Sequence, residues 1–329
     1  MLMSAVVLPE AFAKSHFEDP TYHLNTEILL RGIDANGLIL VDAKGRLYNQ
    51  LCDNVEQLAG TKKGKTTHAL FEELLKKKRE QKIVRFVSTQ FIPHASSSES
   101  ESCASLTLHC RPDAVIAQPD EAGRLAIRLG SSPPVISTPD YIGSRFEAQR
   151  RRFFESLPPL DHMASGEFDR LIVGATRYTK WLRFYDKQIG KGSGLPRFRR
   201  GIERILALWT ANAYFPLDQL SAELFTAVDK SISPICDTQT AHNRVRIEIA
   251  ESLSQQFDVP FQFYFKQDSG QKSISHPRHL QTQSIAIMFE KGFDFIENDG
   301  SFSRTTIKPD SCGMHLQEYR QLTNYTPPL

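Results

Sequence analysis

An α/β fold in two parts is predicted by three observations. The chain has 329 residues, longer than a typical single domain. Short apolar runs end in acidic or turn residues, as buried strands leaving a sheet do. Stretches with apolar residues at helical spacing alternate with those runs, which is the rhythm of strand–helix units. Hydrophobic residues make up 40% of the chain and aromatics 10%, enough to fill packed cores.

In chain order, AVVLPE at 5–10 and GLILVDAKGRL at 37–47 read as buried strands, with Asp42 as a turn residue. HLNTEILLRGI between them and THALFEELLKKKREQ after them carry helical spacing, and KIVRFVSTQF reads as a further strand. GTKKGKTT at 60–67 lacks the spacing of a phosphate loop and reads as a lysine-rich turn. The Ser-rich tract HASSSESESCAS at 94–105 is too polar to bury itself and is expected to be a surface loop. LTLHC, RPDAVIAQPDEAGRLAIRLG and PPVISTPD resume the strand, helix, strand rhythm, and SRFEAQRRRFFESL is a basic amphipathic helix. A first domain over 1–156, a linker LPPLDHMASG over 157–166 and a second domain over 167–329 follow. The second half opens with FDRLIVGATRY, expected as a strand, and the aromatic, basic segment TKWLRFYDKQIGKGSG. Helix RFRRGIERILALWTAN, strand-like SISPICD and helix HNRVRIEIAESLSQQF come next, and strands PFQFYFKQ and SIAIMFEKGFDFI close the chain.

Charge and cysteines narrow the function classes. Forty Lys and Arg against 38 Asp and Glu leave a formal charge of +2, so a basic site must be local. No positive leader precedes an apolar run and no 18 consecutive apolar residues occur, so no membrane partner is expected. Five cysteines, an odd number without a C-x-x-C pair, argue against disulfides and structural zinc and suit a reducing cytoplasm.

The order of AVVLPE, GLILVD, PDAVIAQPDEAGRLA and VISTPDY resembles a PIN-type nuclease domain, so the first half is expected to be a PIN-like parallel-sheet domain. In that family carboxylates at strand ends converge on a divalent metal. The resemblance assigns Asp113 and Asp140 as catalytic metal ligands, Glu73 as a helical acid and Glu10 at the end of the first strand, where the family has Asp. Clustered carboxylate oxygens are what Mg²⁺ or Mn²⁺ needs, and the ion generates a nucleophilic water and stabilises the leaving oxygen.

Residues 167–297 resemble the phospholipase-D-like C-terminal domain that follows the MIT domain in eukaryotic ESCRT-associated proteins. The match rests on Tyr178, on His276-Pro277-Arg278-His279-Leu280 and on Gly292-Phe293-Asp294. Catalytic phospholipases D use H-x-K-x4-D, where this chain has His276, Arg278 and Gln283; the acid is missing. Binding of phosphate through the Arg278 fork, beside His276, is the expectation for that loop. Arg183, Lys187, Arg199 and Arg200 stand among Trp181, Phe184, Tyr185 and Phe198, a mixture that suits nucleic-acid phosphates and bases. A solvated amphipathic face, with Arg183, Asp186 and Lys187 in water, reads equally from the same residues.

The leading expectation is a metal-dependent nuclease acting on nucleic acid, RNA favoured by the PIN resemblance. A phosphate-binding recognition domain follows it, in a setting such as phage or mobile-element defence with protein partners from the same operon. The alternatives are a non-catalytic adaptor or nucleic-acid-binding module, and a phosphodiesterase using His276. Convergence of Glu10, Glu73, Asp113 and Asp140 favours the nuclease; dispersal favours the adaptor.

Overall fold

A computed structural model of the chain describes residues 3–42, 46–76, 82–86, 98–155, 157–192, 194–229, 237–268, 278–310 and 319–326. They form two compact units, Leu2–Glu155 and Ser156–Leu329.

The first unit holds a five-stranded parallel sheet in the order β3-β2-β1-β4-β5. Its strands are β1 (Met3–Val7), β2 (Gly37–Asp42), β3 (Ile83–Phe86), β4 (Ala114–Ala117) and β5 (Val135–Ser137). Every residue of β1, β2 and β4 is buried, as expected of strands covered on both faces. Helices α1 (Pro20–Asn36), α2 (Arg46–Leu58), α3 (Lys65–Lys76), α4 (Glu99–Cys110), α5 (Pro119–Leu129) and α6 (Arg145–Glu155) connect or flank the strands. Asp19 caps α1 by accepting from the Thr21 N–H at 2.8 Å, ahead of Pro20 at the first helical position. Asp42 does the same service for α2, accepting from Leu47 N–H at 3.1 Å. The chain runs outward from β1 to β3 on one side and from β4 to β5 on the other, so the order reverses between β1 and β4. That reversal opens the crevice where doubly wound sheets bind ligands.

Two expectations for this half are corrected. The Ser-rich tract does not stay a loop over its described part. Ser98 and Glu101 form a capping box that starts α4, and LTLHC is the end of that helix rather than a strand. Residues 94–97 of the tract lie outside the described residues.

The second unit carries a six-stranded mixed sheet in the order β11-β10-β9-β6-β7-β8. Its strands are β6 (Trp181–Asp186), β7 (Ser221–Asp229), β8 (Phe261–Asp268), β9 (Arg278–Gln281), β10 (Ala286–Phe289) and β11 (Ile307–Pro309). β6, β7 and β8 are parallel to one another; β9, β10 and β11 pair antiparallel. Helices α7 (Ser165–Thr176) and α8 (Leu195–Asn212) precede β7. Helix α9 (Thr238–Val245) runs through a π turn at Arg246–Glu251 into α10 (Ser252–Phe257). FDRLIVGATRY is therefore helical, not a strand: Phe168, Leu171, Ile172 and Ala175 are buried at i, i+3, i+4 and i+7. SISPICD lies largely outside the described residues, and β7 comes from SAELFTAVD before it. The segment expected as a linker is packed: Leu160 is buried and its N–H donates to the Thr305 carbonyl at 2.8 Å. No helix among the described residues is long and apolar enough to cross a membrane.

Candidate functional site

In the first unit, Glu10 and Asp140 leave the sheet at its carboxyl edge, Glu10 just past β1 and Asp140 just past β5. The Gln118 amide, at the end of β4, donates to the Glu10 carboxylate across the reversal point. Asp140 is exposed and accepts from the Ser137 hydroxyl. Behind them Tyr22 of α1 is 3% exposed, its phenol near Thr138 and Glu10; burial pushes the hydroxyl up to about 12. His16 stacks on the Tyr22 ring at 5.0 Å between centroids. Gln118, Tyr22, Thr138 and His16 were not singled out by sequence. Of these, Gln118 was within reach, because it directly follows the strand AVIA, as Glu10 comes shortly after AVV.

The other two acids go elsewhere. Asp113 precedes β4 and so sits at the amino edge, where its carboxylate accepts from the Ser4 N–H at 2.8 Å and the Ser4 hydroxyl at 2.9 Å. The four residues of β4 separate it from the carboxyl edge by roughly 13 Å of strand. Glu73 is exposed on α3. The expected cluster of four acids is thus not assembled: Asp113 is a strap between β1 and β4. Asp113→Ala should lower stability by about 1–3 kcal/mol through the orphaned Ser4 donors. It should leave Mg²⁺ or Mn²⁺ affinity unchanged, checked by urea denaturation and metal titration.

Among the described residues, one group has the composition and closeness for a metal ion. It joins Glu56 of α2 to His68 and Glu72, one turn apart on α3, with ligand atoms within 4.8 Å of one another. Two contacts already engage it. His68 Nε2 lies 3.2 Å from Glu56, and the Lys76 ammonium pairs with Glu72 at 2.5 Å and holds that carboxyl below its usual range.

In the second unit, the basic residues are tied to neighbouring protein groups. Arg183 donates to Glu223 and lies 4.1 Å over the Trp181 ring. Arg199 donates to Gln256 at 3.0 Å, and Arg200 donates to Asn298 at 2.9 Å. Arg278 donates to the Glu290 carbonyl. Lys187 is 5% exposed and so is not the solvated side chain that one reading of the segment expected, and Tyr178, expected to meet phosphate or nucleic acid, is buried against Tyr214. His276 lies outside the described residues. Gln283 accepts from the Lys180 N–H at 2.8 Å and so holds backbone where the phospholipase pattern has its acid.

Asp186, expected in solvent, is fully buried instead. Its carboxylate accepts from the Gln188 N–H at 2.8 Å and the Phe293 N–H at 3.0 Å. Gly292 makes this approach possible with φ +91°: a Cβ there would stand 2.2 Å from the Asp186 oxygen. The Gly292-Phe293-Asp294 run thus builds a seat for Asp186. Burial, outweighing the two N–H donors and Arg278, pushes this carboxyl up to about 7.

No protein-family model matches the chain, nor does any curated protein or solved structure.

Proposed function

We propose that the chain is a non-catalytic adaptor that binds a protein partner. The observation that carries this reading is the placement of Asp113 at the amino edge of the first sheet, opposite Glu10 and Asp140. It is supported by the second unit, where guanidinium groups that nucleic-acid phosphates would need are bound to Glu223, Gln256 and Asn298. Arg183 is charge-paired with Glu223, and Arg199 and Arg200 each commit part of their donor fork to a neighbouring amide, so these groups are engaged within the protein. The PIN-type and phospholipase-D-like kinships then describe scaffolds whose chemistry has lapsed.

One observation favours a second reading, a nuclease with a reduced metal site. Glu10 and Asp140 share the carboxyl edge, and Mg²⁺ is commonly held by one or two carboxylates plus substrate phosphates. In that reading these two residues hold Mg²⁺ or Mn²⁺, RNA is the favoured substrate, and defence against phages or mobile elements is a setting such an activity would suit. A single comparison separates the two: the purified chain and a Glu10→Gln/Asp140→Asn variant incubated with single-stranded RNA or DNA and either metal. Equal, background-level cleavage is the expected result. Metal-dependent cleavage that disappears in the variant would overturn the adaptor reading in favour of the nuclease.

A further inference from the structure

β8 is the outer strand of the second sheet, and outer strands present unpaired N–H and C=O groups that invite another strand. Residues 319–325 occupy this edge. The Gln267 N–H donates to the Thr323 carbonyl at 2.8 Å, and the Tyr325 N–H donates to the Phe265 carbonyl at 2.6 Å, with an antiparallel bridge between Lys266 and Asn324. These two bonds contrast with the eight-residue register that joins β8 to β7 on its other side.

The surface under the segment has the parts of a peptide-reading groove. Tyr185, Phe225 and Tyr264, from three adjacent strands, stack face to face at 4.9 and 4.7 Å between centroids. Tyr319 closes edge-on against Tyr185 at 6.1 Å, and Leu322 packs on the same cluster. Tyr325 fills a second notch, its ring 5.7 Å from His242 and 5.7 Å from Phe265, its hydroxyl donating to Gln239 at 3.2 Å. Between the notches the Lys266 ammonium, on a residue only 5% exposed, donates to the carbonyls of Arg320 at 2.8 Å and Leu322 at 3.0 Å. Both its acceptors are main-chain atoms, as are the acceptors and donors of the β8 edge. Residues 319–321 form a helical turn, with the Leu322 N–H donating to the Tyr319 carbonyl at 3.3 Å, and 323–325 run along β8. The polar contacts therefore recognise backbone in this turn-then-strand shape, and the side-chain pockets select aromatic, Leu and aromatic residues three positions apart. Over 323–325 the backbone pairing is a short form of the strand addition by which sheet edges recognise peptides, while the turn before it delivers Tyr319 and Leu322 to their pocket.

We infer that residues 319–325 are a displaceable occupant of a peptide-binding groove on β8, and that its ligand in trans is a segment of a partner protein that takes the same turn-then-strand shape with the spacing of Tyr319, Leu322 and Tyr325. The inference rests on the adaptor reading and names its partner class. Displacement is thermodynamically reasonable because the exchange trades like contacts for like. Its cost to the partner is the local concentration of the tethered segment, which reaches the millimolar range for short linkers.

The test uses the full chain carrying Tyr319→Ala and Tyr325→Pro, which empties both pockets and removes the Tyr325 donor. A fluorescent synthetic peptide of residues 318–327 is titrated against it and against the unsubstituted chain, with fluorescence anisotropy as readout. The substituted chain should bind at least tenfold more tightly than the unsubstituted one. The same peptide with Ala at its three anchor positions should not bind, and adding Gln267→Pro should abolish binding. A natively folded variant that ignores the peptide, or binds the Ala peptide equally, overturns the inference. A dimer of the variant in light scattering overturns it too, making a second copy the occupant. If the variant does not fold, amide exchange of the unsubstituted chain decides. The Gln267 and Tyr325 amides should exchange at least tenfold faster than those of β6, and equal protection would make the segment a permanent strand. Cleavage of RNA would overturn the adaptor reading while leaving these peptide measurements intact, so the two fail separately.

Discussion

Replacing Gly201 with alanine should cost the second unit about 3 kcal/mol or more and lower its melting temperature by roughly 10 °C. Gly201 lies in the buried face of α8, and a Cβ built there falls 1.9 Å from the Phe293 carbonyl oxygen and 3.1 Å from the Phe295 ring. The first of these is backbone, which cannot rotate aside as a side chain does. The helix must therefore lift away from the loop that also seats Asp186. Alanine's better helix propensity returns only about 1 kcal/mol. Gly123 on α5 provides the opposite case: it is exposed, and a Cβ meets nothing within 4 Å. Gly123→Ala should stabilise the first unit by up to about 1 kcal/mol. Urea denaturation of the two variants beside the parent chain reads both signs, and a Gly201→Ala protein as stable as the parent would show that α8 is not held against Phe293.

The second large effect is a dependence of stability on pH set by Asp186. With its carboxyl pushed up to about 7 by burial, the folded chain keeps a proton between pH 4 and 7 that the unfolded chain has already lost. The folded state binds more protons in that window, so stability is greatest at its acid end and falls as pH rises through it. Three units of displacement correspond to a loss on the order of 4 kcal/mol. Asp186→Asn removes the titration. It also mismatches one of the two N–H donors, Gln188 or Phe293, and so lowers stability at low pH by about 1–3 kcal/mol. The measurement is the difference in urea midpoint between parent and variant from pH 4.5 to 8, which cancels other titrating groups. The parent's advantage should shrink as pH rises and be reversed once pH passes about 7; parallel pH profiles would mean that Asp186 is charged throughout.

Much of the architecture was legible in the chain. Strands β1 to β5, β8 and β10 were visible as apolar runs, and the strongest helices as periodic spacing, because burial leaves its period in the sequence whatever the partner. The failures were of two kinds. Composition outweighed local chemistry in the Ser-rich tract, where the spacing of Ser98 and Glu101 spells a capping box that serine content obscured. In FDRLIVGATRY the run of Leu, Ile and Val looked like a strand, although Phe168 and Ala175 complete a helical stripe. For the site, Asp113 was readable as misplaced, since it stands before its strand whereas Glu10 and Asp140 stand after theirs. The fate of the basic residues was not readable. Arg183 and Glu223 are 40 positions apart, and Asp186 meets Phe293 across 107. Density of charge is a local property, and its neutralisation is a tertiary one.

The position of β1 has a consequence for how the chain is made. It is the middle strand of its sheet, yet its partner on one side lies far downstream: the Ser4 to Asp113 contact spans 109 positions. At about 5–20 residues per second, synthesis leaves roughly 5–20 s between the appearance of the two. During that interval β1, β2 and then β3 can associate, but one flank of β1 stays bare, an apolar ribbon with open backbone groups. Nascent chains of this protein halted before β4 should therefore be captured by chaperones more than chains halted just after it, and equal capture of the two would count against an exposed β1 flank.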